Sequence, residues 1–399
     1  MEKISVRASN MPSSPIRKLA PFAEQAVREG VKVYHLNIGQ PDIKTPECAL
    51  KALKSVDRTI LEYSPSDGFR SLREKMSEYY RRCGIKLAPD EIIITAGGSE
   101  AVLFAFLTCL DPGDEIIVTD PFYANYMAFA ISVGAVVKGV KTHIEDGFRL
   151  PSVEELEAEI TPRTKAILIC NPNNPTGYLY SRSELETLRD VVVKNGLFLF
   201  CDEVYREFVY SDEPYVSAFH IGGMDGNLVL IDSVSKRYSE CGTRIGCLCT
   251  RNRAVHDAVM KFCQARLSPP LIGQIVAEAS IDVPQDYMKA VYDEYLGRRD
   301  FLLEGLNRIP GVFSPVPKGA FYTMARLPVD DAEKFCLWCL KDFRYEGRTV
   351  MLAPGAGFYT EPGEGRDEVR IAYVLCREDL AMALTVLEKA LEAYPGRTA

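Results

Sequence analysis

Short apolar runs alternate with helical patterns through the middle of the chain, and this alternation restricts the possible folds more than any other feature. The runs cover residues 91–95, 115–118, 166–170, 197–201, 228–231 and 245–249. A helical pattern separates most of them from the next run. Short, uniformly apolar strands joined by helices are typical of a parallel sheet that is buried on both faces. We therefore predict an α/β fold whose mostly parallel central sheet is covered by helices.

Two helices between these strands have recognisable ends. Ser152 with Glu155, and Ser181 with Glu184, have the spacing of a capping box at a helix start. The second of these helices is predicted to end near Gly196, because glycine readily adopts the left-handed conformation that terminates helices.

The chain divides into three predicted parts. Residues 1–45 are expected to be irregular apart from a strand at 33–39, and they join the small domain. Residues 46–285 form the large α/β domain. Residues 286–399 form a small α+β domain that begins with a long amphipathic helix at 286–308 and contains a strand at 368–373. The prolines expected to break any early helix are Pro12, Pro15 and Pro21.

Charge and composition exclude several classes of protein. The formal net charge of -8 argues against a general binder of nucleic acid or anionic membranes. No apolar stretch approaches bilayer length and the first 20 residues lack a signal-peptide core, so we expect a cytoplasmic protein.

The 12 cysteines lie mostly among apolar residues and are predicted to be reduced. Cys336 and Cys339 have redox-motif spacing, but they lie in an apolar helical pattern without a second Cys or His pair, so no metal site is predicted.

Polar sequences follow nearly every predicted strand. In a parallel sheet the carboxyl ends of the strands meet at one edge, and ligands bind there. This coincidence predicts a single site built from several strand ends. The sequences are Ala96-Gly-Gly-Ser-Glu100, Asp120-Pro-Phe-Tyr123, Asn171-Pro-Asn-Asn-Pro-Thr-Gly177, Asp202-Glu-Val-Tyr205 and Ser233-Val-Ser-Lys236.

The last of these sequences indicates the chemistry. Ser233, Ser235 and the later Arg244 offer two hydroxyls and a guanidinium, which together can hold a phosphate. A lysine held nearby in a dry pocket, as Lys236 would be, has a lowered pKa and can form a Schiff base with a carbonyl. A phosphate site beside an imine-forming amine points to pyridoxal phosphate. The alternative is a surface loop whose charges are solvated.

Four further features fit the binding of a cofactor or substrate, although each also has an ordinary structural explanation. Gly98-Ser99-Glu100 opens a helix whose free amides can hold an anion or merely form a tight turn. Asp202 closes an apolar strand and needs a cationic partner, either a ring nitrogen or a structural ion pair. Asn174 can donate to a ligand oxygen or form an Asx-turn. Arg370, on a half-buried strand, can bind a substrate carboxylate or an internal one.

Other motif readings are weaker. Ser233-Val-Ser-Lys236 also fits the S-x-x-K pattern of serine acyl-enzymes, but the accompanying S-D-N and K-T-G motifs are absent from the sequence. The sequence has no Walker A motif and no G-x-G-x-x-G between a strand and a helix, so nucleotide binding is not indicated.

Over essentially its whole length the chain resembles class I aminotransferases of the aspartate aminotransferase kind, which are fold-type-I pyridoxal-phosphate enzymes. Four segments carry the resemblance: Asn171 to Gly177, Asp202 to Tyr205, Ser235-Lys236 with Arg244-Ile-Gly246, and Arg370. The resemblance implies a homodimer with shared active sites and a reaction between an amino acid and a 2-oxo acid.

The resemblance also implies a role for each site residue. Lys236 would carry the Schiff base and move the substrate proton, Asp202 would keep the ring nitrogen protonated, and Tyr205 with Asn174 would bind the phenolic oxygen. Tyr123 would stack on the ring. Arg370 would bind the substrate α-carboxylate, helped by Gly39 and Asn174. The groups implied around the phosphate are the backbone amides around Gly98, Ser99 and Glu100, the side chains of Ser233, Ser235 and Arg244 and, from the neighbouring subunit, Tyr63. The peptide bonds before Pro121 and Pro175 are expected to be cis.

Substrate choice is the point at which the sequence departs from the family. Some aspartate-using relatives have a lysine where this chain has Ser99, and Arg17, Lys18 and Arg266 are the candidate replacement cations. Aspartate with 2-oxoglutarate is the leading pair. The alternatives are aromatic or other amino donors, or a β-lyase or decarboxylase on the same scaffold. The alternative to an enzyme is an aminotransferase-like effector module of a transcription regulator. Such proteins carry an added basic DNA-binding domain, whereas this chain is acidic.

Overall fold

The computed structural model describes residues 4–398. A seven-stranded sheet lies at the centre, in the order β2-β8-β7-β6-β5-β3-β4. Strand β8 runs antiparallel to both neighbours, and every other adjacent pair is parallel. The predicted mostly parallel sheet is therefore confirmed. Its strands are β2 (Ile92–Thr95), β3 (Glu115–Asp120), β4 (Val136–Lys141), β5 (Thr164–Cys170), β6 (Phe198–Asp202), β7 (Leu228–Ser233) and β8 (Gly246–Cys249).

Helices cover both faces of this sheet because the strands alternate apolar side chains between the two faces. On one face, α5, α6 and α10 pack over a core that includes Ile116, Leu168 and Phe200. On the other, α4, α7, α8 and α11 pack over side chains such as Ile167 and Leu230. The helices of this region are α3 (Glu47–Lys54), α4 (Arg70–Arg82), α5 (Gly98–Cys109), α6 (Asn125–Val133), α7 (Val153–Ala158), α8 (Arg182–Asn195), α9 (Val234–Arg237), α10 (Arg253–Arg266) and α11 (Leu271–Ser280).

Both ends of the chain build the smaller part of the molecule. Strand β1 (Lys32–His35) pairs in parallel with β10 (Arg348–Met351), and β11 (Ala353–Pro354), β12 (Glu368–Ala372) and β9 (Tyr322–Arg326) form an antiparallel sheet. The helices here are α1 (Val6–Ser9), α2 (Ala20–Arg28), α12 (Gln285–Leu306), α13 (Ala332–Lys341) and α14 (Arg377–Ala393). Four single 3₁₀ turns complete the structure at Pro89–Glu91, Ile144–Asp146, Ala218–His220 and Gly355–Phe358.

The predicted helix ends are confirmed. The Glu155 amide donates to the Ser152 hydroxyl, and the Glu155 carboxylate accepts from the Ser152 amide at 2.8 Å. Ser181 and Glu184 make the same reciprocal pair, and Gly196 ends α8 with a φ of 65°.

One local prediction was wrong, and one strand was missed. Pro21 does not prevent an early helix, because it stands in the first turn of α2, where a missing N–H costs no hydrogen bond. Strand β4 was not predicted because it is an edge strand whose residues are mostly half-exposed or exposed, so it lacks an apolar run.

The peptide bonds before Pro121 and Pro175 are cis as expected, and the bond before Pro172 is also cis. Within residues 4–398, no helix is both long and apolar enough to cross a bilayer.

Candidate active site

A cavity of about 850 Å³ opens where the carboxyl ends of the central strands meet the segments from both ends of the chain. Twelve of the 14 predicted site residues line it. The sequence pattern therefore identified strand ends that the fold brings together. The 12 are Gly39, Gly98, Ser99, Tyr123, Asn174, Asp202, Tyr205, Ser233, Ser235, Lys236, Arg244 and Arg370.

Lys236 extends from the short helix α9 into this cavity. Its Nζ donates to the Gly39 carbonyl at 2.8 Å and lies 3.7 Å from the Cys241 Sγ. Burial lowers the pKa of the Lys236 ammonium, and the nearby positive charge of Arg370 also lowers it. Among residues 4–398 no carboxylate lies within 4 Å of the Lys236 amine, so no ion pair opposes this lowering of its pKa.

Asp202 lies at the end of β6 and faces the same cavity. Its carboxylate accepts hydrogen bonds from the Tyr126 hydroxyl at 2.7 Å and from the Val204 amide at 3.3 Å. Burial raises the pKa of Asp202 to about 6, although both hydrogen bonds oppose the increase. Within the described chain no cationic side chain pairs with it, so a bound cation is the partner that this carboxylate lacks.

An anion-binding surface is formed where α5 begins beside Ser233, Ser235 and Arg244. The Ser233 hydroxyl donates to the Ser235 hydroxyl at 2.8 Å. The Arg244 guanidinium donates to two backbone carbonyls and has no carboxylate partner among the described residues. Gly97, with a φ of 81°, precedes the helix, and a Cβ there would lie 2.3 Å from the Arg244 guanidinium. This close approach lets the helix N-terminus and the arginine act on one anion.

Arg370 lies on β12 and is almost completely buried. It donates to the Asn174 side-chain oxygen at 2.9 Å and to the Asn37 carbonyl, while its Nε has no partner. Burial lowers the pKa of the guanidinium. No carboxylate from residues 4–398 pairs with Arg370. This buried guanidinium is therefore available to bind an anionic ligand.

Tyr205 lies between Asn174 and Tyr322, and both of these residues contact Arg370. Its hydroxyl lies 3.0 Å from the hydroxyl of Tyr322 and accepts from the Asn174 amide at 3.4 Å. Tyr322 also lies under Arg370, with the guanidinium carbon 4.4 Å from the ring centre. At Gly39 a Cβ would lie 1.6 Å from the Tyr322 hydroxyl, so only glycine fits there.

The sequence analysis missed Tyr126 and Tyr322. Tyr126 follows Tyr123 by three residues, and their rings pack edge to face with centres 5.3 Å apart. That spacing near a strand end was a usable signal for Tyr126. Tyr322 comes from a distant strand, and no local pattern distinguishes it from an ordinary core tyrosine.

Two predicted residues do not line the cavity. The Glu100 carboxylate caps the Ala96 amide at 2.8 Å and pairs with Arg266 at 3.0 Å, so this side chain is engaged elsewhere. Tyr63 is 75% exposed and makes no contribution to the cavity of its own chain. Cys336 and Cys339 are buried on α13, where burial raises the pKa of both thiols.

Comparison with known proteins identifies the family to which this site belongs. The sequence model described as "Aminotransferase class I and II" matches residues 31–387. The chain belongs to the class I and II aminotransferases. The family depends on pyridoxal phosphate, so the chain is a pyridoxal-phosphate-dependent transaminase.

Relatives with different substrate names are similarly close to this aminotransferase. An aspartate aminotransferase of Thermotoga maritima is 33% identical, with 98% of this chain and 100% of that protein covered. Aromatic-amino-acid aminotransferase 2 of Thermococcus litoralis is 31% identical, with 98% of each covered. The structure of aspartate aminotransferase from Thermus thermophilus with maleate superposes with a TM-score of 0.88 at 30% identity, covering 98% of this chain and 100% of that one.

Proposed function

We propose that this transaminase moves the amino group of aspartate to 2-oxoglutarate, with pyridoxal phosphate held by Lys236. The observation that carries the proposal is the presence in one cavity of Lys236 and of buried Arg370, which has no carboxylate partner in the described part of the chain. An amine of lowered pKa and a fixed guanidinium match the aldehyde of the cofactor and the α-carboxylate of an amino acid. The names of the relatives from Thermotoga maritima and Thermus thermophilus support aspartate as the donor.

The residues of the cavity fit the cofactor at three points. Lys236 would hold the aldehyde carbon, and Asp202, which lacks a cationic partner in the described chain, would face the ring nitrogen. Arg244, both serines of the Ser233–Ser235 pair and the start of α5 would hold the phosphate. When bound, pyridoxal phosphate supplies an electron-accepting ring to the Cα of the amino acid.

The protein's own side chains would then position the substrate and move its proton. Arg370 and Asn174 would fix the α-carboxylate and so orient the Cα–H bond, while the Lys236 amine would accept the proton from Cα. Tyr205, which already contacts Asn174 and Tyr322, would donate to the phenolic oxygen of the cofactor. Tyr123, held by a hydrogen bond from Asn125 at 2.8 Å, would stack on the ring.

We also propose a cytoplasmic homodimer whose subunits each complete the site of the other. Tyr63 is exposed, as are several apolar side chains on the neighbouring segments, and exposed apolar side chains of this kind favour association. In this arrangement Tyr63 would reach the phosphate of the partner site. Residues 46–285 would be the cofactor-binding domain, with 1–45 and 286–399 forming the small domain. The exposed apolar side chains on the segments neighbouring Tyr63 are Leu50, Leu53, Ile60, Leu61 and Leu267.

The test is an amino-donor screen of the purified protein with pyridoxal phosphate and 2-oxoglutarate. We expect glutamate and oxaloacetate in equal amounts from aspartate, and loss of turnover in Lys236→Ala. Lys289→Ala is the control, because Lys289 is exposed and pairs with Asp293 outside the cavity. Release of ammonia or carbon dioxide in place of a 2-oxo acid would establish a lyase or decarboxylase instead. A preference for phenylalanine or tyrosine would establish an aromatic aminotransferase.

A further inference from the structure

The cavity contains more positive charge than the proposed cofactor contacts and the α-carboxylate require. Among the described residues, its cationic side chains are Lys236, Arg244, Arg370 and Arg17, and its carboxylate is Asp202. The proposed function assigns Lys236 to the aldehyde, Arg244 to the phosphate and Arg370 to the α-carboxylate. Arg17 remains without an anionic partner.

The other two cations considered from the sequence are already paired. The Lys18 ammonium lies 2.6 Å from Glu333, and the Arg266 guanidinium lies 3.0 Å from Glu100. Neither lines the cavity. Arg17 does line it, and no carboxylate among residues 4–398 lies within ion-pair distance of its guanidinium. Arg17 is therefore the cation that a substrate can reach without breaking an existing ion pair.

The backbone that carries Arg17 is held by packing and by hydrogen bonds. Pro15 is buried against Gly357 so tightly that a Cβ on the glycine would lie 2.4 Å from the proline ring. The amides of Arg17 and Lys18 both donate to the Ser14 carbonyl, at 3.1 and 2.9 Å. A side chain on such an anchored segment loses little backbone freedom when it binds a ligand.

The same segment is tied to Arg370. The Ile16 carbonyl accepts a hydrogen bond from the Asn37 side chain at 2.7 Å, and the Asn37 carbonyl accepts from Arg370. Both arginines also act on Tyr123, since burial raises the pKa of its hydroxyl while the positive charges of Arg370 and, more weakly, Arg17 oppose the increase. The segment that carries Arg17 is thus linked through Asn37 to Arg370, and both arginines line the cavity that contains Tyr123.

We propose that Arg17 determines specificity by binding the side-chain carboxylate of a dicarboxylic amino acid or 2-oxo acid whose α-carboxylate is bound by Arg370. The proposal rests on the proposed transaminase function and names the residue that selects its substrate. It also accounts for Ser99, since the second carboxylate needs no cation in the phosphate loop when Arg17 supplies one.

Paired substrates test this assignment. We expect Arg17→Met to lower kcat/KM for aspartate and for 2-oxoglutarate about 10- to 100-fold, mainly through KM, because a charged hydrogen bond is lost. The value for alanine, which has no second carboxylate, should change less than about threefold. Arg17→Lys should recover part of the loss. Lys18→Met is the matched control, because it removes the neighbouring cation, whose partner is Glu333.

Binding measurements keep the test independent of turnover. Titration calorimetry with succinate and with propionate, using the holoenzyme, should show that Arg17→Met weakens succinate binding by the same factor and leaves propionate unchanged. Equal losses for aspartate and alanine, or unchanged succinate binding, would overturn the role of Arg17. Failure of the wild-type protein to form a 2-oxo acid from any donor would instead contradict the transaminase function, and the succinate comparison would still decide the role of Arg17.

Discussion

Replacing Asp202 by asparagine should change stability and cofactor binding in opposite directions. In the cofactor-free protein the carboxylate is buried with two hydrogen bonds and no cationic partner among the described residues. The free energy of unfolding therefore carries a penalty whenever Asp202 is ionised. Asparagine has nearly the same shape and does not ionise. Its side-chain oxygen can accept from the Val204 amide, while its NH2 group can donate to the Tyr126 hydroxyl, which reverses the direction of that bond.

The size and sign of this penalty follow from the pKa of Asp202. Its value of about 6 lies above the ordinary 3.8, which corresponds to about 3 kcal/mol. Because the folded state binds the proton more tightly than the unfolded chain, the contribution of Asp202 to stability is present below the unfolded pKa and is lost as pH rises through about 6. About half of the loss falls between pH 5 and pH 8.

Urea denaturation of the cofactor-free proteins at pH 5 and pH 8 measures the effect. The stability of Asp202→Asn relative to wild type should increase by about 1.5 kcal/mol between the two pH values. Added pyridoxal phosphate should then stabilise the wild-type protein more than the variant at pH 8, since only the wild type offers a negative charge to the ring nitrogen. Turnover in the variant should fall by a factor on the order of 10³.

Asp120→Asn is the matched control. Asp120 ends strand β3, accepts hydrogen bonds from Thr360 and has a pKa raised by burial to about 6, but it does not line the cavity. Its asparagine variant should show the same pH-dependent gain in stability without any change in the response to the cofactor. Parallel stability of Asp202→Asn and wild type from pH 5 to pH 8 would refute the argument. Equal stabilisation of both by the cofactor would show that Asp202 does not face its ring nitrogen.

Two further substitutions test the buried arginine Arg370 and the buried ion pairs of Asp232. Arg370→Leu should raise KM at least 100-fold for every amino donor, because the variant would lose the buried guanidinium proposed to bind the α-carboxylate; an unchanged KM in steady-state assays would assign the α-carboxylate to another residue. Asp232→Asn should lower the free energy of unfolding by about 3–5 kcal/mol, because Arg206 and Arg237 both pair with this carboxylate in the core; an unchanged thermal midpoint would exclude a stabilising role for the cluster.

The sequence predicted the central sheet well because its buried strands are apolar on both faces. Six of the seven strands stand out as apolar runs, whereas β4 lies at the edge and carries Lys138 and Lys141. The local sequence of such an edge strand does not indicate a strand, because the strand forms by pairing with a neighbour that only the tertiary structure brings beside it. The helix at α2 was missed for a similar reason, since Pro21 marks either a break or a first turn and the local sequence does not distinguish them.

The candidate site was predictable where chemistry and strand ends coincide. Asp202 follows an apolar run directly, and Asn174 and Lys236 come within five residues of one, so the topology of a parallel sheet is enough to bring them together. Residues from outside the sheet lack this signal. Tyr322 reaches the cavity from a separate sheet, and choosing Arg17 over Lys18 depends on which of two adjacent side chains finds a carboxylate.

The geometry of Lys236 depends on the residue that follows it. Helix α9 has four residues, which is too short to be stable by its own hydrogen bonds. Arg237 points away from the cavity into the core, where its guanidinium donates to Asp232 at 2.7 Å and stacks 4.0 Å from the Tyr79 ring centre. The Arg237–Asp232 pair thus fixes the helix from below, and Lys236 extends into the cavity from a fixed base. Two adjacent basic residues therefore lie in different surroundings, because α9 directs Lys236 into the cavity and Arg237 into the core.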